Sequence, residues 1–150
     1  SLIAFGLLLA WADRRAGRRE LEQLGVRDAV LVGAAQALAL NPGTSRSGIT
    51  ITAARQLGFS RDAAARLSFL MSVPVIAGAV LVKGIELITE GVPDDLLVPM
   101  IVGIVTSGLS GWVAVWGTLR WVRTHDFTPF VIYRVAAGIL VLVIAATNWR

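Results

Sequence analysis

The sequence predicts an all-α fold, a polytopic helical bundle in a membrane with one broken-helix, re-entrant hairpin. Three observations predict it. The 150 residues are 55% hydrophobic and only 16% charged, where a soluble domain carries roughly a quarter charged residues. The run Leu96 to Leu119 has no charge at all, and at helical rise it reaches about 36 Å, enough for a hydrocarbon core of about 30 Å. Arginines gather in a few loops while the acidic residues Glu90, Asp94 and Asp95 gather in another, the asymmetry that orients membrane helices.

The first element, about residues 1–12, is the apolar run Leu2 to Ala12, too short to span. With no initiator methionine and no basic residue ahead of it, it reads as a chain that begins partway through a helix rather than as a signal peptide. Arg14, Arg15, Arg18 and Arg19 follow and mark the cytoplasmic side.

The second element, about 27–58, is the broken one. An uncharged stretch from Ala29 to Ser45 is interrupted by Asn41-Pro42-Gly43, and Pro42 ends one helix and forces Asn41 out of helical geometry. Two short half-helices meeting at such a break form a re-entrant hairpin, tolerated in a membrane only where protein or a wet cavity satisfies the backbone. Arg27 precedes the pair and Arg55, Arg61 and Arg66 follow it, so the chain leaves and returns on one face.

Three longer elements complete the chain, about 61–88, 95–120 and 127–149. The first is capped by Ser60, carries Asp62 in its first turn and Pro74 as an expected kink, and can pair Lys83 with Glu86 at its far end. The next carries Gly103, Ser107, Gly108, Ser110 and Gly111, small residues suited to close helix packing. Trp112, Trp116, Trp121 and Trp149 suit interface anchoring or packing. There is no linker, so 1–150 reads as a single membrane domain.

Cysteine is absent and His125 is the one histidine, which excludes disulfides, thiolate chemistry and any histidine pair within this chain. The net charge of +4 sits in loops and reads as topology, so no nucleic-acid partner is expected.

Chemistry concentrates in Asn41-Pro42-Gly43-Thr44-Ser45-Arg46-Ser47-Gly48-Ile49-Thr50. Gly43 and Gly48 permit tight backbone and close ligand approach. Thr44, Ser45, Ser47 and Thr50 crowd hydroxyls around a helix start, and Arg46 has no acid near it in sequence. A helix N-terminus offers free N–H groups and a positive dipole end; with a guanidinium and hydroxyl donors it suits a phosphate or diphosphate. An arginine within a membrane is costly enough to signal function; the bland alternative is that Arg46 binds carbonyls at the break. Gly43-x-x-x-x-Gly48 is not a nucleotide P-loop, because Ile49-Thr50 stands where Lys-Ser/Thr is required.

The stretch Pro42 to Thr50 resembles the Pro-Gly-x-Ser-Arg-Ser-x-x-Thr signature of the bacitracin-resistance type undecaprenyl-diphosphate phosphatases. Gln36-Ala-Leu-Ala-Leu-Asn before it, Phe69-Leu-Met-Ser-Val-Pro74 after it and Pro129-Phe-Val-Ile-Tyr-Arg134 are similar too. The resemblance implies the C-terminal half of a protein about twice as long, built as two inverted halves, in the bacterial plasma membrane. It implies hydrolysis of the C55 lipid diphosphate to its monophosphate and bacitracin resistance. It also implies a divalent cation, Mg2+ or Ca2+, held by a Glu-x-x-x-Glu pair of the N-terminal half. That pair is absent here, Gln36 and Leu40 standing at the equivalent positions, so no metal ligand is expected in this chain. Expected partners are the polyprenyl diphosphate, the lipid bilayer and the N-terminal half, with a homodimer admitted.

On this reading Arg46, Ser45 and Thr50 are catalytic, and Gly43, Thr44, Ser47, Gly48 and Gln36 bind substrate. Arg46 clamps diphosphate oxygens; Ser45 is a hydrogen-bond donor, favoured over a nucleophile because no general base lies near it. Gln36 donates to the site or packs across the hairpin. Arg134 reads as a snorkelling or paired arginine and His125 as a solvated loop residue. The competing class is a transporter or flippase for a polyprenyl phosphate or another anion, since half-helix N-termini also bind transported anions.

Overall fold

In the computed structural model, which describes residues 1–41, 44–91 and 94–147, the chain is all-helical. The described residues form six α-helices: α1 (Leu2–Asp13), α2 (Val26–Ala37), α3 (Arg46–Gln56), α4 (Arg61–Glu90), α5 (Asp94–Val122) and α6 (Thr128–Thr147). Short 3₁₀ turns at Leu21–Gln23 and Leu38–Leu40 precede and follow α2. Three helices are long and apolar enough to cross a membrane, at Arg61–Thr89, Leu96–Val122 and Thr128–Thr147. The helical stretch at Arg61–Glu90 runs through Pro74, and that at Asp94–Val122 through Pro99.

Local chemistry sets the helix starts. Ser60 caps α4 by accepting from the Ala63 amide at 3.1 Å, and Asp62 in its first turn pairs with Arg66 at 2.7 Å. At the start of α2, Asp28 accepts from the Gly25 amide at 3.2 Å and from Arg19 at 2.6 Å. The Arg19 guanidinium holds this half-buried carboxyl below the usual carboxylate range.

Arg19 also closes the chain between α2 and α3. Its amide donates to the Gly58 carbonyl at 3.0 Å and its carbonyl accepts from the Ser60 amide at 2.8 Å. The guanidinium stacks 4.4 Å from the Phe59 ring and donates to the Leu57 carbonyl at 3.0 Å. The entry to α2 and the exit from α3 therefore meet at one residue, with the two helices packed side by side.

The core lies at the arginine-loop end of the molecule. Leu9 of α1, Val32 of α2, Ile51 and Ala54 of α3, Phe59, Ala63, Ala64, Ala65 and Leu67 at the root of α4, Val122 and Phe127 pack there. α1 lies along α6 and α3, and at Gly138 a Cβ would come within 2.6 Å of Ile3, so close approach of α1 and α6 requires the glycine. Asp13, at the end of α1, is the polar centre of this zone. It takes two hydrogen bonds from Arg61, at 2.7 and 3.1 Å, and one from the Phe127 amide at 3.2 Å. Buried Arg55 stands 3.4 Å away and donates to the carbonyls of Phe59, Asp13 and Arg15. Beyond this root, α4, α5 and α6 turn apolar side chains such as Val80, Leu109, Trp112 and Leu142 outward, as lipid-facing or partner-facing helices do.

Candidate anion site at the start of helix α3

The backbone between α2 and α3 leaves helical geometry at Asn41 (ψ 127°) and re-enters it after Ser45 (ψ 120°). Ser45 is the N-cap of α3: its hydroxyl accepts from the Gly48 amide at 3.2 Å, satisfying one orphan donor of the first turn. The same oxygen lies 3.3 Å from the Ser47 hydroxyl and accepts from Arg134 Nη2 at 2.6 Å. Arg134 stands two turns into α6, so the last helix reaches across to the start of α3.

Gly48 makes this reach feasible. A Cβ there would overlap the Arg134 guanidinium, with Cζ and Nη2 both at 2.8 Å. The guanidinium occupies the space beside bare backbone that a side chain would take, and glycine's role is to leave that space open. Arg134 Nη1 is buried without a hydrogen-bond partner among the described residues, as are Thr44 Oγ1 and Gln36 Oε1, polar atoms that cost free energy until a partner arrives.

Arg46, the first residue of α3, is half-buried. No ion pair of the described residues involves Arg46 or Arg134. A cation at a helix N-terminus opposes the macrodipole, so neither guanidinium is explained by helix stability. Two uncompensated cations, a positive helix end and inward-turned hydroxyls can stabilise an anion with several oxygens.

The sequence-predicted residues thus divide. Ser45, Ser47 and Gly48 are drawn together, and Arg134 joins them. Thr50 faces elsewhere: it is buried, its hydroxyl donates back to the carbonyls of Arg46 and Ser47 at 3.0 and 3.1 Å, and it meets the Ser68 hydroxyl of α4 at 2.7 Å. Hydrogen-bonded both to its own helix and to Ser68, Thr50 ties α3 to α4. Gln36 lies in the last turn of α2, Thr44 follows the break, and Gly43 falls outside the described residues. Reading the sequence left Arg134 as a snorkelling or paired residue. The signal that marks it is an arginine two turns inside an apolar helix; its partner 89 residues away has no sequence signature.

Residues 1–140 match the family described as "Bacitracin resistance protein BacA". Among similar curated proteins, one from Geobacter sulfurreducens named "Undecaprenyl-diphosphatase" is 52% identical over 142 residues, covering 94% of this chain and 53% of the relative. Proteins of the same name from Chromohalobacter salexigens and Thermomicrobium roseum are 51% and 42% identical, over 94% and 97% of this chain and 53% and 52% of their own lengths. The chain spans about half the length of the curated relatives it matches.

Proposed function

The chain belongs to the bacitracin resistance protein BacA family, and from that premise we propose that it forms one half of an undecaprenyl-diphosphate phosphatase. The reaction releases inorganic phosphate from undecaprenyl diphosphate and leaves the monophosphate carrier, recycling it for peptidoglycan synthesis. The observation that carries this reading is the meeting of Arg134 with Ser45 at the start of α3, beside Arg46, with no carboxylate paired to either arginine among the described residues.

The chain's residues contribute chiefly electrostatics. Arg46 and Arg134 clamp the diphosphate oxygens and stabilise charge that grows during phosphoryl transfer. Thr44, Ser47 and the α3 amides donate to the remaining oxygens, with Gln36 beside them at the end of α2. Ser45 already accepts two hydrogen bonds, so its own proton is available to donate; no general base adjoins it among the described residues, which favours donor over nucleophile. Thr50 acts by holding the start of α3 against α4.

A divalent cation does not fit this chain's part of the site. The donors at the break are neutral hydroxyls and an amide beside two guanidinium groups, and the described residues hold no cluster of three or more His, Cys, Asp or Glu; Mg2+ and Ca2+ are typically held with the help of carboxylate oxygens, and two neighbouring cations disfavour either. Its ligands belong to the other half of the full-length protein.

The re-entrant reading of α2 and α3 rests on their short lengths, the break between them and the closure of both outer ends around Arg19. By the positive-inside rule the Arg14–Arg19 and Arg120–Arg123 loops lie in the cytoplasm and the loop near residues 90–95 outside.

Purified full-length protein supplied with undecaprenyl diphosphate and Mg2+ tests the function. Inorganic phosphate should appear, and Arg46→Ala and Arg134→Ala should each lower turnover by about 10²-fold or more. Transport of the intact lipid without phosphate release would instead identify a flippase.

A further inference from the structure

A second polar cavity lies at the other end of α3, about 14 Å along the helix from the Arg46 site. Its volume is about 720 Å³, and six arginines and three carboxylates line it, a net charge of +3. Two of those carboxylates are engaged: Asp13 by Arg55 and Arg61, and Asp62 by Arg66 and Arg123. Arg14 has no ion pair among the described residues, and neither does Arg15, whose guanidinium stacks 5.4 Å from the Trp11 ring. Each of the two paired networks keeps one surplus positive charge, and Arg14 and Arg15 add two cations against the single carboxylate of Glu20.

Arg66 lines a second hollow as well. This is an apolar groove of about 490 Å³ between α4 and α5, walled by Phe69, Leu70 and Val73 on one side and Val115 and Leu119 on the other. A cationic chamber and an apolar slot thus share one residue, in the order in which a phospholipid presents its headgroup and its acyl chain. A soluble anion would have no use for the slot, and a neutral lipid none for the charge.

We propose that this paired cavity and groove binds an anionic phospholipid, its phosphate at Arg14, Arg15 and Arg66 and one acyl chain between α4 and α5. Basic pockets between membrane helices recognise anionic headgroups in this way. The site is separate from the break before α3 and does not depend on the reaction assigned there.

Delipidated full-length protein, examined by native mass spectrometry with phosphatidylglycerol and phosphatidylcholine of identical chains, provides the test. Phosphatidylglycerol should bind more tightly, and the double variant Arg14→Gln/Arg15→Gln should reduce that binding about tenfold or more while phosphatase turnover in detergent stays at the wild-type level. These arginines make no internal ion pair, so the variant leaves the root of the bundle intact. Val115→Trp, which fills the groove and leaves every charge in place, should weaken phosphatidylglycerol binding as well. Equal binding of the two lipids overturns the proposal. It is also overturned if inorganic phosphate displaces phosphatidylglycerol while Val115→Trp binds it normally, the result expected of a free-anion site.

Discussion

At the scale of single residues, the site turns on what Gly48 lacks. The guanidinium of Arg134 occupies the space a β-carbon would fill, and from there it reaches Ser45. The obstructing atoms are the tip of a flexible side chain, so Gly48→Ala should displace Arg134 and leave the backbone in place. The expected result is a fall in turnover of about tenfold to a hundredfold with thermal stability of the full-length protein nearly unchanged. Wild-type turnover in that variant would show that the arginine's position is irrelevant. Much of this was legible in the sequence: Ser45, Arg46, Ser47 and Gly48 are contiguous, and a break in an apolar stretch announces itself through Pro42. Arg134 was not, because side chains far apart in sequence leave no local pattern when they meet. Thr50 shows the opposite limit. It sits in the motif, but helical geometry turns its hydroxyl back onto its own carbonyls and onto Ser68, which spacing alone does not disclose.

At the scale of elements, four of the six helices meet at one end around Asp13. It collects Arg61, the neighbourhood of Arg55 and the amide that starts the approach to α6, so α1, α3, α4 and α6 share one buried carboxylate. Removing one partner from a buried ion-pair network leaves an uncompensated charge, which costs about 3–5 kcal/mol. Asp13→Ala in the full-length protein should lower the unfolding temperature accordingly. Asp13→Asn, which can still accept from the Phe127 amide, should fall between it and wild type. A thermal melt that did not separate the three would mean that Arg55 is sustained by its carbonyl partners alone. In the sequence Asp13 is merely the last residue before an arginine loop; its role depends on Arg55, Arg61 and Phe127 converging in space. The helices themselves were readable, because long uncharged runs bounded by arginines need no tertiary information.

At the scale of the whole molecule, the packing is one-sided. The root near the arginine loops is close-packed, while the far parts of α4, α5 and α6 expose apolar side chains. Composition alone gave the membrane class, since a surface so apolar is stable only against lipid or other membrane helices. The topology is measurable by cysteine labelling in a full-length background freed of other cysteines, since this chain contributes none. Single cysteines placed at Arg18, Arg27 and Thr124 should react with an impermeant thiol reagent from one side of the membrane, and one at Thr89 from the other. Labelling of Arg27→Cys and Thr124→Cys from opposite sides would break the reading in which α2 and α3 enter and leave on a single face, because the two spans between α3 and Thr124 return the chain to the side where α3 exits.

The hydroxyl of Ser45 is gripped at once by the amide of Gly48 and by a guanidinium arriving from α6. A free serine rotor samples three staggered orientations; this one is arrested by two independent parts of the bundle before any headgroup arrives. The entropy of fixing it is spent during folding, so under the proposed function a diphosphate would meet a serine oxygen already held in place.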